Sequence, residues 1–395
     1  MLQTATAVTD STALLQHPLW ILGGTVAAAV ATWALIWLLQ PLAARWGLLD
    51  HPQGRKDHAH STPVTGGLGI AVALLVLALL VPLPMTQAKL GYMAGSVLLI
   101  VVGLLDDLYD LRWWWRMLAQ VVAALAMVYV GGVRIEQLGP AFGLDDMALG
   151  ALSVPFTVFA TVGLINAVNM IDGADGVAGS LLAAALLMLA AAAWYAGNVG
   201  LGTVTLAIFG ATLGFLAHNF PVPWRRRARV FMGNAGSAFL GFSVAWIAFR
   251  LTQNPGHPVN PVLALWLLSV PVIDCLVLIV RRIRQRRSPF SADRDHVHHL
   301  MRDAGFGPAQ LCLTLAGFSL LAGLAVGHAM RIDVPNVLLL VLFVLACLAW
   351  LGLTLHRQRA CRMFVGLRRL LFGRGKDAVV AGAQPATEPP CPDED

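Results

Sequence analysis

Long unbroken apolar runs alternate along the chain with short stretches that hold nearly all its charge. Helices built from such runs are apolar on every side, the pattern of a membrane span rather than of a half-buried surface helix. The runs fall at roughly 19–39, 66–84, 90–106, 116–132, 148–166, 178–196, 201–218, 236–252, 261–280, 311–328 and 335–356. Each is long enough to cross a bilayer, at about 17 to 22 residues. The expected fold is all-α and polytopic, with about eleven transmembrane helices. Residues 1–18 are expected to form an outer N-terminus, 19–356 the transmembrane domain, and 357–395 a cytoplasmic tail. That tail is basic at first and then Pro-, Ala- and acid-rich, the composition of a disordered segment.

Composition agrees with this pattern. Hydrophobic residues make up 58% of the 395 and charged residues 12%, about half the charged fraction of a soluble domain. No Lys or Arg precedes Arg45, so the first run lacks the basic flank of a cleaved signal peptide and reads as a retained helix. With an outer N-terminus, 23 of the 27 Lys and Arg residues fall on the inner side, and only Lys89, Arg134, Arg250 and Arg331 fall outside. The positive-inside rule is thereby satisfied. The formal net charge of +6 then reflects topology and contact with anionic membrane lipids, with no nucleic-acid partner implied.

The polar stretches are where chemistry can reside, because carboxylates beside hydrocarbon are costly and mark functional positions by default. The densest is Asn166-Ala-Val-Asn169-Met-Ile-Asp172-Gly-Ala-Asp175-Gly176, whose amides and acids are hard oxygen donors suited to Mg²⁺. A second is Asp106-Asp107-Leu-Tyr-Asp110, where Asp106 and Asp110 share a helix face and Asp107 points about 100° away. Several acids aimed into one space repel each other unless a cation joins them, which points to a metal-assisted site at one membrane face. In the first inner loop, Arg55 and Lys56 can grip phosphate, and Gly66-Gly67 can let a helix start approach a ligand closely. An Arg-Lys pair is equally what an ordinary inner loop contains. Arg116 is a phosphate partner within reach of the acid pair, while Trp113-Trp114-Trp115 reads as an interfacial anchor. The basic strip 225–229 leads to Gly233-Asn234-Ala-Gly236-Ser237, which can be a ligand-binding helix start or only an N-cap. The longest inner loop joins Arg281, Arg282, Arg284, Arg286, Arg287 and Arg294 to His296-Val-His298-His299. Arginines suit bidentate pyrophosphate contacts. Histidines there can donate hydrogen bonds or hold zinc, although no cysteine accompanies them.

Taken together and in this order, these stretches resemble the polyprenyl-phosphate N-acetylhexosamine-1-phosphate transferases. The resemblance rests on Asp50…Arg55-Lys56…Gly66-Gly67, Asp106-Asp107, Asn166–Gly176, Met232–Ser237 and the segment from Ser288 to Leu300. It implies transfer of a sugar 1-phosphate from UDP-N-acetylglucosamine to undecaprenyl phosphate, with release of UMP, on the cytoplasmic side of a bacterial plasma membrane. It also implies a Mg²⁺ cofactor, which Mn²⁺ can replace, with Asn169 and Asn234 in the metal-ligand positions. Asp106 and Asp107, with Asp172 and His296, would be catalytic, the acid pair orienting or deprotonating the lipid phosphate. Asp175 and Phe231 would hold uracil, and Lys56, Arg116, Arg282, Arg294, His298 and His299 would line the phosphate and sugar site. A homodimer is left open. One position departs from the pattern: the family commonly has Asp where this chain has Asn234, which keeps one oxygen ligand and loses a charge. The competing class is a multispan transporter with acids as ion sites. Such sites usually lie near the bilayer midplane, whereas here only Asp274 sits inside a run. An inactive relative of the transferases is the other alternative.

Overall fold

Residues 17–50, 61–80, 85–139, 147–225, 227–256, 259–288 and 294–373 are described by a computed structural model. Their helices are α1 (Pro18–Trp46), α2 (Gly66–Leu80), α3 (Gln87–Tyr109), α4 (Trp113–Tyr129), α5 (Ser153–Ile171), α6 (Val177–Tyr195), α7 (Val199–Asn219) and α8 (Gly233–Thr252), followed by α9 (Pro261–Leu267), α10 (Ser269–Arg284), α11 (Val297–Asp303), α12 (Pro308–Arg331), α13 (Asn336–Thr354) and α14 (Arg357–Phe372). The only sheet among the described residues pairs β1 (Leu49–Asp50) with β2 (Thr62–Pro63), antiparallel, with Leu49 opposite Pro63 and Asp50 opposite Thr62. This strap closes the base of the first inner loop. Arg55 and Lys56 lie outside the described residues.

Eight helical segments are long and apolar enough to cross a membrane, and α9 with α10, bent by 84°, makes a ninth. All eleven apolar runs carry helix. Two of them, α2 and α4, have 15 and 17 residues, short of the roughly 20 that a full span takes. Among the described residues, length and composition thus support eight or nine spans, and the exact count of eleven is not confirmed. Local sequence explains where the helices begin and end. Thr86 caps α3 by accepting from the Lys89 N–H, and Asn198 caps α7 by accepting from Leu201. Pro18 and Pro261 occupy first-turn positions, where no backbone donor is lost. Gly47, at φ 74°, ends α1 in the left-handed region that glycine adopts freely. Inside the apolar segments Thr157, Thr161, Thr205 and Thr212 return their hydroxyls to carbonyls one turn earlier, which satisfies these four groups where water cannot.

Helix α8 is the axis of the structure. Its membrane-span window is 94% buried, against 17% for α13 at the periphery. Small residues let neighbours reach its backbone. A Cβ on Gly67 would lie 2.3 Å from Gly236 Cα, and one on Gly103 would lie 2.4 Å from Ala235 Cα. The α2 start is also bonded to the segment before α8, Gly66 N–H to Phe231 O at 3.0 Å and Gly67 N–H to Met232 O at 2.9 Å. The glycine pair, expected to admit a ligand, instead admits another stretch of backbone, the close approach that small residues give membrane helices.

Gly67→Ala is expected to destabilise the protein by at least about 2 kcal/mol, because backbone atoms cannot yield as side chains do. Gly163→Ala, where a Cβ meets nothing within 4 Å, is the control and should be neutral. Thermal unfolding of both variants in detergent measures the difference; equal melting temperatures would sink the packing argument.

Candidate active site

The polar ends of α3, α5, α8 and α10 and the start of α4 meet around one cavity of about 250 Å³. Its polar lining is Asp106, Arg116, Gln120, Asn166, Asn169, Asn234, Arg282 and His296, set against an apolar wall that includes Leu99, Val102, Met117 and Ile165. Asp106 is almost fully buried. The chain turns left-handed at Asp110 (φ 49°), which ends α3. The returning backbone then gives Asp106 its partners: Leu111 N–H to Oδ1 at 2.8 Å and Arg116 Nη1 to Oδ2 at 3.2 Å. Asp110, on the same helix face by spacing, is exposed and does not join the cavity.

Asp107 is placed differently. Its Oδ1 accepts from Asn234 N–H at 2.8 Å and its Oδ2 from Ala235 N–H at 3.3 Å, so it caps the α8 N-terminus. From there a chain of amides crosses the site. Asn169 Nδ2 donates to Asn234 Oδ1 at 3.0 Å and to Ser237 Oγ at 2.9 Å, while Asn166 Nδ2 donates to Gln120 Oε1 at 2.7 Å.

The turn after α5 breaks the helix at Asp172, as its glycines suggest, but the amides it frees are not left open. Gly176 N–H is taken by Asn219 Oδ1 at 2.7 Å, and Asp175 Oδ2 accepts from Ala228 N–H at 2.8 Å. The Asp175 carboxylate and the Phe231 backbone help join this turn to the α8 approach, and neither residue lines the cavity. Asp172 is only partly covered. Its carboxyl is held well above the usual carboxylate range, first by desolvation and then by the charges of Asp107 and Asp175.

The histidine loop supplies the remaining wall. Arg281 Nη2 and Arg357 Nη1 grip the two oxygens of Asp295 at 2.9 and 3.0 Å, and Arg357 also pairs with Asp303. This clasp joins α10, α11 and α14 immediately before His296. His296 reaches the cavity, and His298 lies behind it with ring centroids 5.4 Å apart. His298 is 1% exposed and has neither ring nitrogen bonded. Burial and the neighbouring His299, His296 and Arg302 hold it well below the usual imidazole range, so it is neutral. It packs on the acidic turn, where a Gly173 Cβ would lie 2.5 Å from His298 Nε2. Arg294 is exposed, and neither it nor His299 lines the cavity. Lys56 falls among the residues not described. Sequence reasoning passed over Gln120 and took Trp113 for an anchor only, yet both line the cavity. A lone amide inside the 116–132 run was the signal for the first.

No group of three or more His, Cys, Asp or Glu side chains has metal-holding geometry among the described residues. The donors near Asn234 are mixed: two amides and the Asp107 and Asp172 carboxylates. Oxygen donors of this kind fit a hydrated hard cation that completes its shell with water and phosphate. The charge crowding at Asp172 is a repulsion that such a cation relieves. Asn234 Oδ1 and the Asn169 amide already bond each other, so the amides must turn to offer oxygen.

Asp172 gives a test. With its folded pKa raised above the ordinary 3.8, its favourable contribution is complete below that value and is lost as pH rises through the folded pKa. At pH 7.5 without metal the crowding and desolvation of this carboxyl therefore cost the fold stability. Asp172→Asn should raise the melting temperature of the metal-free protein. Mg²⁺ should stabilise the parent and have little effect on the variant. Equal responses to Mg²⁺ would exclude Asp172 from a cation site.

Residues 89–252 match the glycosyl transferase family 4. The chain is 35% identical over 348 residues to an undecaprenyl-phosphate alpha-N-acetylglucosaminyl 1-phosphate transferase of Escherichia coli O157:H7, covering 87% of this chain and 94% of that one. The enzyme of the same name from Yersinia pestis is 35% identical over 319 residues, covering 80% and 87%. That from Haemophilus influenzae is 36% identical over 280 residues, covering 70% and 78%. With a polytopic helical fold, a polar cavity built from helix ends and similarity along nearly the whole length of such relatives, this chain belongs to glycosyl transferase family 4, among the polyprenyl-phosphate N-acetylhexosamine-1-phosphate transferases.

Proposed function

We propose that the protein transfers N-acetylglucosamine 1-phosphate from UDP-N-acetylglucosamine to undecaprenyl phosphate, releasing UMP and beginning lipid-linked cell-surface glycan synthesis. The observation that carries this reading is the cavity itself. Two arginines, a buried acid, amides and a histidine face one space beside an apolar wall, which suits phosphates approached from a lipid. A phosphate oxygen of the lipid attacks the sugar-linked phosphorus, a new P–O bond forms, and the bond to the bridging oxygen breaks with its electron pair leaving on UMP. Such a transfer needs positioning and charge neutralisation above all. Arg116 and Arg282 hold the phosphates. Asp106, fixed by Leu111 and Arg116, orients the attacking phosphate or takes its proton. Asp107 acts one step back, by holding the α8 start that presents Asn234. His296 donates to the sugar-linked phosphate, while His298, His299 and Arg294 shape the loop behind it. Asp175 and Phe231 would hold uracil at the outer rim, and Lys56 would reach the phosphates from the first inner loop. Asn169 and Asn234 would hold Mg²⁺ or Mn²⁺, with Asp172 supplying the charge that Asn234 lacks. Bound there, the ion neutralises the pyrophosphate and the departing UMP.

The site would face the cytoplasm of a bacterial inner membrane, where UDP-sugars and the basic loops belong. A single cysteine at position 174 should then react only with a membrane-permeant thiol reagent in intact cells; labelling by an impermeant one would reverse the orientation.

Purified protein with undecaprenyl phosphate and a panel of UDP-sugars should release UMP with UDP-N-acetylglucosamine. Asp106→Asn should lower turnover at least about a hundredfold, the low end for loss of a general base. Near-normal turnover would remove Asp106 from the chemistry, and no UMP from any UDP-sugar would reject the transferase reading.

Asn234→Asp should lower the half-saturating Mg²⁺ concentration for UMP release, because it restores an anionic ligand to a cation that prefers one. Superimposable Mg²⁺ titrations for parent and variant would place residue 234 out of reach of the metal.

A further inference from the structure

Asp274 is the one acid within the apolar run 261–280, and nothing in the reading above uses it. It sits in α10, past the 84° bend that separates α9 from α10. Its side chain is 4% exposed, and a buried acid in a membrane helix is retained only where something answers its charge. Two groups answer it, and both belong to the histidine loop. Oδ2 lies 2.9 Å from His296 Nδ1, and Oδ1 accepts from the Val297 N–H at 3.0 Å. Val297 is the first residue of α11, so this carboxylate caps that helix while holding the ring just before it.

The geometry assigns Asp274 as the positioning residue for His296. A carboxylate has only acceptors to offer, and one oxygen already faces a backbone donor. The ring proton therefore sits on Nδ1, and Nε2 is left on the opposite edge of a ring that lines the cavity. The other charged or titratable groups around this ring cannot do the same work. Arg282, across the cavity mouth on α10, has no acceptor, as is true of Arg116 beyond it. His298 stacks behind His296 at 20° between planes, and His299 lies at 6.3 Å and 58°. Asp106 is already held by Leu111 and Arg116. Only Asp274 holds the Nδ1 edge among the described residues. The carboxylate thereby converts a histidine in a polar loop into a group with one orientation and one tautomer, aimed at the phosphate that the transferase reading places there. This assignment rests on that reading for the identity of the phosphate, but not for the pairing.

A double-mutant cycle tests it, with Asp274→Asn, His296→Gln and the pair together, each as full-length protein in detergent. Asn keeps the volume of Asp but turns one acceptor into a donor, so either the Val297 contact is lost or the ring must take the opposite tautomer. Asp274→Asn alone should lower kcat for UMP release about a hundredfold and move KM for UDP-N-acetylglucosamine by less than about threefold. In the His296→Gln background the same substitution should change kcat by less than about threefold, because a positioning residue has nothing left to position. If Asp274 served only to cap α11, the Val297 contact would matter equally in both backgrounds and the losses would multiply; that result overturns the assignment. UDP binding is measured by calorimetry on the same four proteins. Should the parent bind UDP and release no UMP, the transferase reading fails, and the pair is judged on whether the losses in UDP affinity couple. Independent losses there, or no loss from either single variant, overturn the pairing as well. If Asp274→Asn yields too little folded protein, Asp274→Glu in the parent and His296→Gln backgrounds takes its place, and the same coupling decides.

Discussion

A helix start inside a membrane protein leaves backbone donors that neither water nor the helix itself can satisfy, and the site is organised around the answer to that problem. Helix α8 begins deep among its neighbours, and Asp107 meets its N–H groups at Asn234 and Ala235. Once a carboxylate is committed there, the α8 start is fixed relative to the end of α3. Asn234 then reaches Asn169, Asn169 reaches Ser237, and α5 is tied to the same point. The backbone contacts of Gly67 and Gly103 with α8 set how close the three elements come. Remove the capping carboxylate and no other acceptor among the described contacts serves those donors.

The second half of the site is held by a different means. The histidine loop has no helix long enough to hold itself, since α11 has only seven residues. It is pinned by acids taken from its own sequence and from α10. Asp295 is gripped between Arg281 and Arg357, Asp303 is paired with Arg357, and Asp274 holds His296 and Val297. Buried pairs of this kind add little stability for their desolvation but are well suited to fixing one geometry. The C-terminal helix α14 takes part through Arg357 and through Phe364 and Phe372, whose rings meet Phe306 edge-on. The wall of the cavity that carries His296 is thus supported by the last described helix of the chain.

Much of this was legible in sequence because hydrocarbon enforces a simple grammar. Apolar runs gave the helical architecture, and the polar stretches between them marked Asp106, Asn169, Asn234 and His296, which do meet at one cavity. Spacing could not say which neighbour each side chain faces. Asp106 and Asp107 are adjacent and chemically identical, yet one lines the cavity and the other caps a helix 127 residues away. Gly66-Gly67 looked like a ligand approach because glycine signals closeness without saying to what. The exact span count is not confirmed because α2 and α4, at 15 and 17 residues, fall short of a full span, a difference that hydropathy alone does not register. Asp274 stood out in the run it occupies, but its meaning depends on His296, 22 residues on and reached only through the fold.

The amide at position 234 has a consequence for how the site holds charge. Its backbone N–H donates to Asp107 and its side-chain oxygen accepts from Asn169, whose amide also donates to the Ser237 hydroxyl. A carboxylate there would keep both contacts but would add a like charge beside Asp107, which a cation would have to offset. The chain therefore separates two tasks that an Asp at this position would combine. Its resting geometry is held by amide and backbone hydrogen bonds, and the crowding of acids falls instead on Asp172, beside Asp107 and Asp175. A cation drawn to the site by that charge must displace an amide contact before it gains an amide oxygen, and the phosphates of a bound nucleotide are the ligands best placed to make that exchange favourable.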